Sequence, residues 1–283
     1  MREKINLILI AVMLSSFNFV YSQHIIKATV TDSLNIPLPY VNIGIYNKQI
    51  GTVTSSKGIF SITNIDDSML NDSLIFSFIG YETKKILVKN LVNKKEARII
   101  LKNKIQELDE VLVVANSTKD YSKGRSKSKS AYSIFFATPE SNYSYLGTEI
   151  GRKFSVGSKK LSLLKEFKFF INRNNFDNAK FRLTIYSIKN KIPNAIINSE
   201  NIYMECVNNY TGWLTVDLTK YNLYVNQDII ITVAFVEGSE KGDELSLPLL
   251  VSPRSIHYFR YRPESNWYKY KMISTTMILK YNQ

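Results

Sequence analysis

Cysteine occurs once in the 283 residues, at Cys206, and histidine twice, at His24 and His257. A single cysteine excludes a disulfide within the chain and leaves stability to packing. Residue 23 is glutamine, where a lipoprotein leader would need a cysteine. Cys206 alternates with Ile202 and Met204, the pattern of a buried structural thiol. The histidines are followed by Ile-Ile-Lys and Tyr-Phe-Arg, so neither begins the His-x-x-Glu pattern of a zinc peptidase, and no metal site is expected. A Gly-x-Ser-x-Gly elbow, a phosphate loop and a Gly-x-Gly-x-x-Gly turn are all missing, which removes the usual serine hydrolases and nucleotide cofactors. Ser162-Leu-Leu-Lys165 has the spacing in which a lysine activates a serine. It has no Lys-Thr-Gly companion and falls in a strand-like run, so coincidence explains it.

Acidic residues are also few: 24 against 37 lysines and arginines, a formal charge of +13. The acids that lie close together, Asp109 with Glu110 and Glu240 with Asp243, sit in loop-like stretches beside lysines and read as solvated surface. Long apolar runs are absent except for Ile5 to Val20, which Ser15, Ser16 and Asn18 interrupt and which is too short to span a bilayer. With Arg2 and Lys4 before it and Val20-Tyr21-Ser22 after it, that run reads as a signal peptide over residues 1–22, with the mature chain starting at Gln23. Removing it takes away two cations and one anion and leaves +12. In an exported chain with no later span, that charge points away from nucleic acid and toward anionic glycans or other envelope polymers.

What the chain does have is period-two alternation. Ile26, Ala28 and Val30, then Val41, Ile43 and Ile45, then Leu74, Phe76 and Phe78, then Ile86 with Val88 and Ile99 with Leu101 each place apolar residues on one face. Turn signals fall at Pro37, Pro39, Asn47, Asn64 to Asp67 and Gly80, and Gly51 to Ile62 has the spacing of a β-hairpin. Residues 23–115 therefore read as a small antiparallel sandwich of about seven strands. Gly51, Gly58 and Gly80 are its structural turns, where positive φ is expected.

Val30-Thr31-Asp32, Pro37 to Ile43, Gly51-Thr52-Val53-Thr54, Gly58 to Ile62 and Leu74 to Tyr81 together resemble the carboxypeptidase regulatory-like domain, a transthyretin-like β-sandwich. Leu108 to Val114 is similar to the segment that closes this domain. The resemblance implies a non-catalytic module of the kind that precedes the plug of TonB-dependent outer-membrane receptors, with such a receptor or another outer-membrane protein as a partner. Ala28 and Ser55 depart from the family pattern, which argues against a metal site in that turn.

Residues 116–143 open with a basic, almost apolar-free stretch and read as a flexible linker. Residues 144–283 return to alternation around Phe167, Phe181, Leu214 and Ile229 and are expected to form a second, jelly-roll-like sandwich. Gly147 to Gly151, Phe181 to Tyr186 and Gly212 to Leu218 are distantly similar to secreted lectin-like sandwiches.

One constellation suggests a binding surface. His257 to Arg262 and Trp267 to Lys271 alternate rings with cations across a turn at Pro263. One face of this ribbon carries Tyr258, Arg260 and Arg262, the other His257, Phe259 and Tyr261. With Trp267 and Lys269, the first face offers stacking and charge-assisted hydrogen bonds to an anionic glycan. The same pattern also fits a strand pair that buries Phe259 and Trp267. The expectation is thus an all-β, two-sandwich protein of the periplasm, outer membrane or cell surface, acting as a non-enzymatic binding or assembly module. The alternative is a hydrolase with two carboxylates converging in the second sandwich.

Overall fold

The computed structural model describes residues 24–92, 94, 96–104, 119–139, 145–157 and 160–283. The expected leader and the Leu108 to Val114 closing segment lie outside the described residues.

The first sandwich has the seven strands that alternation implies. β1 (His24–Thr31), β4 (Ile59–Ile65) and β7 (Ala97–Ile100) form one sheet in the order β4-β1-β7. β2 (Asn42–Ile45), β3 (Gly51–Val53), β5 (Ser73–Ser77) and β6 (Lys84–Leu87) form the other in the order β3-β2-β5-β6. The pairing of β1 with β7 is parallel, against the expected antiparallel rule. The inward residues, among them Ile26, Val30, Ile43, Phe60, Leu74 and Phe76, form one buried core.

The stretch expected as a hairpin is a crossing between these sheets. Val53 pairs with Asn42, whereas Ile59 pairs with Thr29. Between them the Ser55 N–H donates to the Ile59 carbonyl and Gly58, at φ 72°, donates to the Ser55 carbonyl. Gly58 is needed for close approach as well: a Cβ there would stand 2.7 Å from the Val30 carbonyl oxygen. Gly51 corrects the expectation of positive φ. It is an ordinary strand residue whose missing Cβ leaves room for the Ile43 carbonyl oxygen, 2.6 Å from where that Cβ would lie.

The second sandwich packs a nine-stranded sheet on a five-stranded one. The large sheet runs β12 (Arg173–Asn174), β19 (Leu245–Arg260), β10 (Glu149–Phe154), β18 (Ile229–Gly238), β13 (Asn178–Lys189) and β14 (Ile192–Ile196). β15 (Ile202–Val207) also pairs with β13, and β9 (Tyr132–Ala137) and β20 (Tyr268–Thr275) pair with β19. The smaller sheet runs β16 (Gly212–Asp217), β11 (Ser162–Ile171), β21 (Met277–Asn282) and β8 (Asp120–Gly124), with β17 (Tyr224–Val225) on β11. Phe136, Phe154, Phe167, Phe169, Phe181 and Phe235 lie in the core between the sheets.

Two stretches of the segment expected as a flexible linker are strands. β8 is exposed along its whole length, so it carries no apolar stripe that could reveal it. Its backbone pairs with β21 as a sheet edge, and the Tyr121 ring stacks on Tyr281 at 5.4 Å. β9 sends Phe136 and Ala137 into the core.

Candidate functional site at the seam of the sandwiches

The two sandwiches are docked, and the turn between β19 and β20 makes much of the contact. A Cβ on Gly44 of β2 would overlap the Pro263 carbonyl oxygen, so the glycine lets that turn lie flat on the strand. The Glu264 carbonyl accepts the Asn47 N–H at 3.0 Å, and its carboxylate accepts the Ser77 hydroxyl at 2.8 Å. Gln49 Nε2 donates to the Tyr268 hydroxyl at 2.9 Å. Beside these contacts, Tyr40 and Val53 of the first sandwich form a small buried cluster with Ala234 and Val236 of the second.

The large sheet's seam-side face carries a buried polar network. Glu149, 2% exposed, accepts from Arg260 Nε at 2.7 Å and Nη2 at 2.6 Å, from the Tyr186 hydroxyl at 3.0 Å, and from the Thr232 hydroxyl. The Arg260 guanidinium also covers the Trp267 ring at 4.6 Å. Burial alone would lower the Arg260 pKa, but the Glu149 carboxylate holds it above its ordinary value. Burial, followed by Glu149, pushes the Tyr186 hydroxyl up. At the network's edge, Lys180 stands between Glu205 at 2.7 Å and Glu237 at 3.8 Å. The Tyr40 hydroxyl donates to Glu237, and burial and then that bond raise its pKa to about 12.

Arg182 is different. It is 3% exposed, yet it reaches only neutral acceptors in the contacts described, the Tyr40 carbonyl at 2.7 Å and the Asn42 amide oxygen. No carboxylate among the described residues lies within ion-pair distance of it. It lines a cleft of about 190 Å³ between the sandwiches, whose wall includes Phe78, Tyr81, Lys104, Thr184 and Asn198. A second, apolar pocket of about 400 Å³ lies under the opposite face of β19, with Phe135, Leu249, Phe259, Tyr261 and Tyr270 around His257. His257 is fully buried and neither ring nitrogen has a hydrogen-bond partner among the described residues. Burial, and then the neighbouring Arg152, pull its pKa down to about 4, so the ring is neutral at ordinary pH.

Residues 26–113 match the family model described as the CarboxypepD_reg-like domain. The first sandwich is a CarboxypepD_reg-like domain. A TonB-dependent receptor of Formosa agariphila is 32% identical over 108 residues, which are 38% of this chain and 10% of that receptor. The chain thus spans about a tenth of the length of this curated relative. The cysteine protease and lectin-like domains of Cwp84, a surface layer associated protein of Clostridium difficile, align at 10% identity and a TM-score of 0.37, covering 93% of this chain and 59% of that one. The Bacillus cereus major pilin subunit BcpA aligns at 10% identity and a TM-score of 0.21, over 90% and 69% of the two chains.

The CarboxypepD_reg-like domain docks against the ribbon that the sequence singled out, and this changes the ribbon's meaning. The hairpin is there, with Phe259 opposite Tyr268. Its cationic face is not an open binding surface. Tyr258 is 1% exposed and its hydroxyl donates to the Lys191 carbonyl at 3.1 Å, while Arg260 is held by Glu149. Trp267 packs under Arg260, and Arg262 and Lys269 are half-buried. Period two sorted these side chains by face but carried no sign that the cationic face would be covered as well as the apolar one. In the sequence, Arg182 and Glu149 each look like one more charge in a strand. The usable signal was Gly44, a glycine inside an alternating strand, which marks a close approach of backbone.

Proposed function

We propose that this chain is an exported, non-enzymatic binding or assembly module of the cell envelope, and that its ligand is an anionic glycan or another anionic envelope polymer. The observation that carries the reading is the use made of the seam's acids. Glu149 is consumed by Arg260 and buried hydroxyls, and Glu205 and Glu237 share Lys180, so these carboxylates neutralise cations inside the protein instead of facing a substrate. Among the clefts described, that at the seam is lined by Lys104 and Arg182 and by no acid. The CarboxypepD_reg-like domain supports an envelope setting, and the strongly basic balance of the chain supports an acidic ligand. The test is co-sedimentation of the purified protein with an acidic polysaccharide and with a neutral one of equal length, together with an assay for new reducing ends. Binding to the acidic polymer alone without cleavage is expected; equal binding to both polymers, or release of reducing ends, overturns the reading.

A further inference from the structure

A buried cation in a protein interior is ordinarily paired, because removing a charge from water costs several kcal/mol unless an opposite charge compensates. Arg260 obeys that rule and Arg182 does not. The four carboxylates near the seam are engaged elsewhere: Glu149 by Arg260, Glu205 by Lys180, Glu237 by Lys180 and Tyr40, and Glu264 by Ser77. The two bonds from Arg182 to Tyr40 and Asn42 use only part of a guanidinium that carries five N–H donors. The cleft it lines brings a second cation to the rim, Lys104, which is exposed. Its walls add the Phe78 and Tyr81 rings, 5.5 Å apart, together with Thr184 and Asn198. Rings, hydroxyl and amide groups and two cations in a space of about 190 Å³ suit one polyhydroxylated ring bearing an anionic group, free or as one unit of a glycan chain.

We propose that the seam cleft is a carboxylate site that takes a single uronate-type sugar ring, with Arg182 forking the carboxylate, Lys104 closing over it, and Phe78 and Tyr81 against the ring face. Because Arg182 and Thr184 come from the second sandwich and Phe78, Tyr81 and Lys104 from the segment of the first, a ligand here touches both. The site rests on the acidic-glycan reading above and gives it an address.

The experiment titrates the full mature chain with glucuronate, with glucose, and with a uronate tetrasaccharide, by calorimetry and by backbone amide shifts. Glucuronate is expected to bind at least ten-fold more tightly than glucose, with shifts at Gly80, Thr184 and Asn198. Arg182→Gln should abolish binding. Since Arg182 also holds the seam, Lys104→Glu is the cleaner variant: its side chain is exposed, and it should weaken glucuronate at least three-fold, whereas the equal charge change Lys271→Glu on the exposed hairpin should not. Binding of both uronates makes the ligand a free or chain-terminal ring; binding of the tetrasaccharide alone, still lost in Lys104→Glu, makes the polymer the source. Equal affinity for glucose and glucuronate, or equal effects of Lys104→Glu and Lys271→Glu, overturns the site. If neither ring nor tetrasaccharide binds while the acidic polysaccharide still co-sediments, the cleft is wrong and the module reading stands; if the polysaccharide fails too, both fall.

Discussion

The two faces of β19 near its end are built on opposite principles. On one, Arg260 joins Glu149, Tyr186 and Thr232 in a network where the buried ion pair is closed by hydrogen bonds, with the Tyr258 ring packed beside Tyr186. On the other, His257, Phe259 and Tyr261 open onto a mainly apolar pocket, where the imidazole of His257 has no hydrogen-bond partner among the described residues. At the end of β19 the first face tolerates burial because Arg260 and Glu149 compensate each other. The second tolerates it because its titratable group gives up its charge. Both are buried, so hydropathy of the side chain did not decide burial; compensation did.

That comparison is broken most severely from the polar side. Glu149→Ala leaves Arg260 buried and unpaired, and chemical denaturation should show a loss of about 3–5 kcal/mol. Replacing both partners together, Glu149→Leu with Arg260→Met, should lose clearly less than the single change; an equal or larger loss would mean that shape, not charge, holds this face.

The apolar side breaks with acid. His257 binds protons more weakly folded, at about pH 4, than unfolded, at about 6.5, so the unfolded chain takes up protons first and stability falls as pH drops from about 6.5 to 4. The loss approaches about 3 kcal/mol at the lower end. Below about pH 4 both states are protonated and this contribution no longer changes. His257→Leu should flatten that part of the stability curve; an unchanged acid slope would assign it to other groups.

The docking between the sandwiches sharpens the comparison at its boundary. Gly44→Val places a side chain against the Pro263 carbonyl and should cost about 1–3 kcal/mol. Differential scanning calorimetry is expected to separate two transitions where wild type shows one, and one unshifted transition would show that the seam yields without strain. The smallest effect belongs to the sheet edge: Tyr121→Ala removes the stack on Tyr281 and should lower the melting stability by about 0.5–1 kcal/mol. No change would leave β8 held by its backbone bonds alone.

Alternation alone located the strands whose inward residues meet a core, from Ile26, Ala28 and Val30 to Phe167, Phe169 and Ile171, because burial of one face imposes the period directly. It also put Tyr258, Arg260 and Arg262 on one face of a strand and His257, Phe259 and Tyr261 on the other, as strand period requires. It missed β8, whose five exposed residues carry no stripe. It turned Gly51 to Ile62 into a hairpin because turn chemistry is local, whereas the choice of partner sheet for Ile59 depends on β1, thirty residues away. The seam escaped for the same reason. Lys180, Arg182, Glu149 and Arg260 come from three strands that the sequence separates widely, and nothing local says that Arg260 will meet a carboxylate and Arg182 will not.

By itself, then, the sequence determined the all-β class, the regulatory-like sandwich over its first third and the strongly basic balance, since these follow from period, turn residues and composition. Tertiary structure alone decided that both faces of the ribbon's first strand are covered, that the two sandwiches are docked, and where a buried cation is left facing a cleft. The physical reason is that side-chain period is a property of one strand, while burial and charge compensation are properties of whatever that strand packs against.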